Sequence, residues 1–265
     1  MRRTLAAAVT CAGPGLHSGA PCVAHLSPAP PGHGLCLNGT PVALRHVIDA
    51  AYATTLATAR GPVRTVEHLL AALYGLGIDD AAIEVEGGEV PALDGSAARF
   101  VQAIAPCDQP GRRTILTLRE PVEVRDGARW CRATPAQTLS LAVEINFPAL
   151  GVQRFAAPVD ALPTIAAART FGFARDADPL RAAGLARGAG LSNTLVFDDH
   201  GRPLNPEGQR LADEPARHKW LDLLGDLALL GAPLRAQVEA TRGGHALHHR
   251  LVAALQRVAV PEHDP

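Results

Sequence analysis

The stretch "RTVEHLLAALYGLGIDDAAIEVEGG", residues 64–88, reads as a helix followed by a strand. Apolar residues crowd "VEHLLAAL" at helical spacing, Thr65 is placed to cap the start, and Gly75 and Gly77 can end it. "AAIEVE" then alternates apolar and polar, as a half-buried strand does. The same order returns in residues 217–244, "RHKWLDLLGDLALLGAPLRAQVEATRGG", where Gly231 and Pro233 stop the helix and "RAQVEAT" alternates. A second helix follows each time: "DGSAARFVQAIA", capped by Asp94 or Ser96, and "HALHHRLVAALQRV". His68 and Ser96 lie 28 positions apart, and His218 and His245 lie 27 apart. This recurrence predicts an α+β protein of two similar units, 1–108 and 113–265, with "PCDQPGRR" as the linker near residues 106–113.

Around these elements "TLAAAVTCAG" and "PCVAHLSPA" read as paired strands about the turn-rich "GPGLHSGA". "RTILTLREPVEVRDG" and "ARWCRATPAQTLSLAVEINFP" read as further strands, "PVDALPTIAAART" as a helix and "NTLVFDD" as a buried strand, while the final "VPEHDP" is expected to fray. The opening "MRRTLAAAVTCAGPG" imitates a signal peptide, but its apolar run is short, Thr10 and Cys11 interrupt it, and alternation continues beyond. No run reaches the roughly 20 apolar residues that a spanning helix needs.

Composition excludes several classes. With 265 residues, 47% hydrophobic, the chain can build substantial cores. A formal charge of -1 supplies no field to recruit nucleic acid, and 4% aromatics supply few stacking platforms. Cys11, Cys22, Cys36, Cys107 and Cys131 are odd in number and lack CxxC spacing, which fits reduced thiols in a cytoplasmic protein.

Within this Arg-rich chain Lys219 is the only lysine, and it lies beside His218, Asp222 and Asp226, which are spaced four apart. Residues four apart share a helix face, so His218 and Asp222 can grip one metal ion; the plain alternative is a surface ion pair. The apolar flanks Trp220, Leu221, Leu223 and Leu224 suggest a half-buried helix, where charges need partners or a metal. Glu67 and His68 are adjacent, and a ligand next to a carboxylate suits a metal-activated water whose proton the carboxylate takes. His245 begins a helix after Gly243 and Gly244; a helix start disfavours its charged form, so a carboxylate such as Asp226 is required to keep it protonated. Thr170 and Phe171 in "ARTFGFARD" stand out against a plain helix end. His17 lies in a Gly-rich turn that lacks the dinucleotide-site context, and His248 and His249 read as solvated.

The segments "GPGLHSG", "RTVEHLLAALYGLGIDDAAIEVEGGEVPALDGSAARFV", "ARTFGFARD", "RHKWLDLLGD" and "GGHAL" occur in this order. Together, from about Arg3 to Ala254, they resemble the UDP-3-O-acyl-N-acetylglucosamine deacetylase family, zinc amidases of lipid A synthesis. The resemblance implies two domains, each a β-sheet with two helices, the helix layers sandwiched between the sheets and the active site between the domains. It implies His68, His218 and Asp222 as zinc ligands, a set that ferrous iron also fits, with Glu67 as the general base. His245 would be the acid or electrophile, oriented by Asp226, and Thr170 would donate a hydroxyl to the tetrahedral intermediate. Phe171 and Lys219 would hold the sugar and its phosphate side, Arg242 the diphosphate and Asp176 the nucleotide end. An apolar passage in the second domain would take the acyl chain.

The implied partner is an acylated UDP-sugar, with no nucleic acid and no integral membrane segment. The greasy substrate implies brief access to the membrane surface, and the protein is expected to act as a monomer. The sequence departs from the family's pattern at Gly190, where many relatives carry Ser, at Phe147, where His is usual, and in the shortened segment 147–159. These leave acyl-chain preference open. Two imidazoles and a carboxylate also describe an oxygenase iron site, but Glu67 beside the ligand favours hydrolysis. The alternative from another class is a non-catalytic or altered-specificity relative that binds an acylated nucleotide sugar.

Overall fold

The computed structural model describes residues 1–263. In the first half the strands are β1 (Arg2–Leu5), β2 (Val9–Pro14), β3 (Pro21–Pro28), β4 (Leu35–Leu37), β5 (Thr40–Pro41), β6 (Val47–Asp49), β7 (Thr55–Thr58) and β8 (Gly61–Val63). Helix α1 (Glu67–Gly75), strand β9 (Ala81–Glu86), helix α2 (Ala98–Ala103) and strand β10 (Pro106–Gln109) follow. The main sheet has the order β2-β3-β9-β4-β5, with β6-β7-β8 as a small separate sheet. Alternation along β3 and β9 turns Ala24, Leu26, Ala81 and Ile83 inward, where they meet Leu69, Leu70, Leu73 and Phe100 of α1 and α2 in one core.

The second half holds β11 (Thr114–Thr117), β12 (Val122–Asp126), β13 (Arg129–Pro135), β14 (Ser140–Phe147) and β15 (Gly151–Pro158). Then come α3 (Leu162–Ile165), β16 (Phe171–Phe173), α4 (Ala177–Ala182), β17 (Leu195–Phe197), α5 (Glu214–Leu227), β18 (Leu234–Thr241), α6 (His245–Val258) and β19 (Val260–His263). A seven-stranded sheet forms around β18, which pairs with β11, β13 and β14. Helix α5 packs on β14 and β15, and α6 packs on β12 and β13. The two halves repeat sheet-plus-two-helices, as the recurrence in the sequence led one to expect, and α1 meets α5 between the sheets, as the family resemblance implied.

Three local expectations are corrected. Residues 106–109 are strand β10, paired antiparallel with β1, so only the remainder of "PCDQPGRR" is a connector. The C-terminal segment does not fray through Val260–His263, because β19 pairs antiparallel with β11; Asp264 and Pro265 lie outside the described residues. Thr65 does not cap α1. Its hydroxyl instead donates to the buried Glu89 carboxylate at 2.9 Å, and its φ is 58°, in the left-handed region. Glu89 also takes the His17 and Ser18 backbone N–H groups at 2.8 Å, so one buried carboxylate ties the helix entry to the β2–β3 turn.

The crossing of α1 and α5 sets the geometry of everything between the halves. At Gly225 the two backbones are so close that a Cβ would overlap the carbonyl of Glu67. Alanine in place of a mid-helix glycine gains about 1 kcal/mol of helix propensity. Overpacking against backbone, which cannot swing aside, costs about 1–3 kcal/mol and outweighs that gain. Gly225→Ala therefore lowers the thermal midpoint measured by circular dichroism; a higher midpoint would show that the contact is not tight.

Candidate active site

His68 sits in the first turn of α1, and His218 and Asp222 one turn apart on α5, so the helix crossing brings them face to face. Asp222 Oδ1 lies 3.5 Å from His68 Nε2 and 3.3 Å from His218 Nε2, and all three side chains are buried. Those separations exceed the roughly 2.7–2.9 Å of a charge-assisted hydrogen bond. They match the edge of a tetrahedron of ligands about 2.0–2.1 Å from a zinc ion, which is about 3.3–3.4 Å. The His218 Nδ1–H donates to the Ala168 carbonyl at 3.1 Å, which leaves Nε2 as the lone-pair nitrogen. Burial, aided by the positive charge of Lys219, pushes the His218 pKa down to about 3 against the pull of Asp222, so the ring stays neutral. Burial works against the Asp222 charge, but His218 and Lys219 more than compensate and hold its carboxyl well below the usual range. Three buried donor groups, both imidazole nitrogens a ligand-edge from Asp222 Oδ1, can hold a divalent cation.

Glu67 precedes His68 and is buried; its Oε2 accepts the Thr54 backbone N–H at 3.0 Å. Burial raises its pKa, which makes it a stronger base than an exposed carboxylate. Across the site His245 begins α6 and directs Nδ1 at Asp226 Oδ2, 2.8 Å away. Burial pulls its pKa down, but the charge and hydrogen bond of Asp226 outweigh this and hold it up at about 9. The carboxylate that a helix-start imidazolium requires is thus in place. The ring lines a cavity of about 690 Å³ together with Thr170, Phe171, Lys219 and Gly244.

Not every expected residue converges there. Lys219 reaches the cavity and is also tied to Asp222: its Nζ bonds Asp222 Oδ2 at 2.7 Å, because residues three apart on a helix are neighbours. It also lies 5.7 Å from the centre of the Phe171 ring. Asp176 is exposed, at the N-terminus of α4, with its carboxylate 4.0 Å from Arg175. Arg242 is exposed, its backbone left-handed at φ 51°, and its N–H bonds the Glu144 carbonyl at 2.7 Å. Neither Asp176 nor Arg242 lines the cavity.

Other residues enter that the sequence left unassigned. His248 and His249 are buried, not solvated: both bond Asp226, because they share with His245 the α6 face that packs on α5. Their spacing three and four after His245 was the available clue. Thr54 donates to Asp226 Oδ1 at 2.6 Å, and no motif marks it. His17 is buried at the cavity wall; its Nδ1 accepts the Ala186 N–H at 3.3 Å, so its Nε2–H, which has no partner among the described residues, is left to donate. Arg169 and Glu214, fully buried, pair through Nε at 2.9 Å and fasten the strand entry bearing Ala168 and Thr170 to the start of α5.

On the cavity's other flank, Gly172 and Val196 pair across β16 and β17. Phe147 meets Phe171 edge-on at 5.4 Å, in the place of the histidine expected of relatives. Gly190 lines the cavity and presents no hydroxyl.

A buried two-His, one-carboxylate ligand set, with a carboxylate beside it and a protonated imidazole across a large cavity, has the makings of a metallohydrolase site. The family profile of UDP-3-O-acyl N-acetylglycosamine deacetylases (LpxC) matches residues 2–257. The chain is 42% identical over 267 residues to a UDP-3-O-acyl-N-acetylglucosamine deacetylase of Myxococcus xanthus (strain DK1622), covering 95% of this chain and 85% of that one. It is 40% identical over 271 residues to the enzyme of the same description from Brucella melitensis biotype 2 (strain ATCC 23457), covering 96% and 94%. The chain belongs to the UDP-3-O-acyl N-acetylglycosamine deacetylase family, and with it to the metalloenzymes of lipid A biosynthesis.

Proposed function

We propose that the chain removes the N-acetyl group of UDP-3-O-acyl-N-acetylglucosamine, giving the free amine and acetate, at a single metal ion held by His68, His218 and Asp222. The observation that carries this is the ligand-edge spacing of both imidazoles from Asp222, with Glu67 adjacent to His68 and His245 on the cavity wall. Zinc suits two imidazoles and one carboxylate with an open fourth position, and ferrous iron fits the same donors. When bound, the ion acidifies water and polarises an amide carbonyl.

Glu67 takes the proton of the attacking water; the Thr54 N–H fixes one of its oxygens and leaves the other for that proton. His245, held charged by Asp226, donates from Nε2 to the developing oxyanion and then to the leaving amine. Thr170 at the cavity wall offers its hydroxyl to the same tetrahedral species. Lys219 and Phe171 flank the sugar, and His17 offers an N–H on the same wall. Arg242 and Asp176, outside the cavity, would meet only the far diphosphate and nucleotide end. The acyl chain would run along the Gly172–Val196 face under α4.

The site lies where the units 1–108 and 113–265 close on each other. We place the reaction in the cytoplasm, by a monomer that reaches its lipid-like substrate at the membrane surface. Among the described residues no helix is long and apolar enough to cross a membrane. A relative that only binds the nucleotide sugar would have no use for a buried base beside the ligands, so hydrolysis is the reading kept.

Acetate release and bound metal separate the roles. Glu67→Gln should retain metal and lose about 10²-fold or more in kcat, whereas His218→Ala should lose metal and activity together. Wild-type turnover in either variant would overturn the assignment. Because His245 must stay protonated, kcat should fall as pH rises through about 9, and this limb should vanish in His245→Gln. An unchanged alkaline limb in that variant would remove His245 from its role.

A further inference from the structure

Asp226 carries more partners than orienting one acid requires. Its Oδ2 takes His245 Nδ1 and His248 Nδ1, each at 2.8 Å, and its Oδ1 takes Thr54 Oγ1 at 2.6 Å and His249 Nε2 at 3.1 Å. Four donors thus share one fully buried carboxylate, and three of them are imidazoles from two turns of α6. The arrangement has been given room: a Cβ at Gly243 would press on His248 Nε2 at 2.8 Å. Asp226, His245 and His248 also have the spacing of a ligand set. However, their 2.8 Å contacts are hydrogen-bond distances, with a proton between each pair, unlike the 3.3 and 3.5 Å separations around Asp222.

One carboxylate can balance one imidazolium. The three rings therefore share a single counter-charge, and the N–H dipoles of His248 and His249 point their positive ends at the oxygens that stabilise a charged His245. We propose that His248 and His249 are positioning residues for the reaction, drawing on the Asp226 carboxylate in competition with His245 and so setting the upper pH limit at which His245 can donate its proton. The inference rests on His245 as the acid. His245 holds the proton because Glu67 also faces it, whereas burial drives His248 toward its neutral form despite Asp226 and Asp222. The other titratable groups facing the cluster are Lys219 on α5, His17 in the β2–β3 turn and Cys131 on β13.

The test is the pH–rate profile of the zinc-loaded full-length chain as wild type, His248→Leu, His249→Leu, His248→Asn and His245→Gln, with ¹⁵N-histidine NMR titration alongside. Removing a competing donor should move the alkaline limb of kcat upward by about half a pH unit, an approximately threefold gain in proton affinity, in each Leu variant. His248→Asn, which keeps an amide donor for Asp226, should move it less. Limbs coinciding with wild type in both Leu variants would overturn the inference, provided the limb is lost in His245→Gln. A limb that survives in His245→Gln would instead overturn the acid assignment beneath it. If the Leu variants fail to fold, wild-type NMR decides: the His248 and His249 resonances should inflect at the pH where His245 loses its proton, and their silence there would refute the coupling.

Discussion

The site depends on one steric constraint, the close crossing of α1 and α5. Gly225 lets the helices approach until side chain is excluded between them. Glu67 and His68 then stand opposite His218, Asp222 and Asp226 with no intervening layer. Neither half of the chain owns the site: α1 brings Glu67 and His68, α5 His218, Asp222 and Asp226, and α6 His245. Each helix is held from behind by its own sheet, so the donor atoms rest on rigid elements and not on loops.

The electrostatics follow from burial. Asp222 and Asp226 are the same residue type, four apart on one helix, fully buried and ionised, yet their surroundings assign them opposite work. Around Asp222 the two imidazole Nε2 atoms stand 3.3 and 3.5 Å away, spaced for a cation to fill the gap, and Lys219 takes the second oxygen. Around Asp226 every neighbour is a hydrogen-bond donor, so the carboxylate needs no metal and instead supports a cation on His245. A neutral His218 and a charged His245, both buried, are thus products of different partners, not of different depth.

Much of this could be read from residue order. Helical spacing put His218 and Asp222 on one face, and the repeated helix–Gly–strand–helix order exposed the duplication. The requirement that a helix-start imidazolium have a carboxylate pointed from His245 to Asp226. The failures share a cause: a local rule gave way to a partner remote in sequence. Thr65 had the chemistry of a cap, but Glu89 claimed its hydroxyl. His248 and His249 look like a polar surface pair until α6 is known to lay that face on Asp226. Residues 106–109 looked like a linker because their partner β1 lies a hundred positions away. Lys219 was assigned to the substrate alone, although Asp222 three residues on was already a neighbour. Thr54 and His17 could not be found from pattern, since each acts through a loop whose path is set by tertiary contacts.

The central claim is that the cation sits between the halves, on the α1–α5 crossing. Anomalous diffraction at the zinc edge from crystals of the zinc-loaded chain tests it most directly. The account predicts a single peak bonded to His68 Nε2, His218 Nε2 and Asp222 at about 2.0–2.2 Å. A peak centred instead on Asp226, His245 and His248, or stoichiometric zinc elsewhere in the chain, would contradict it.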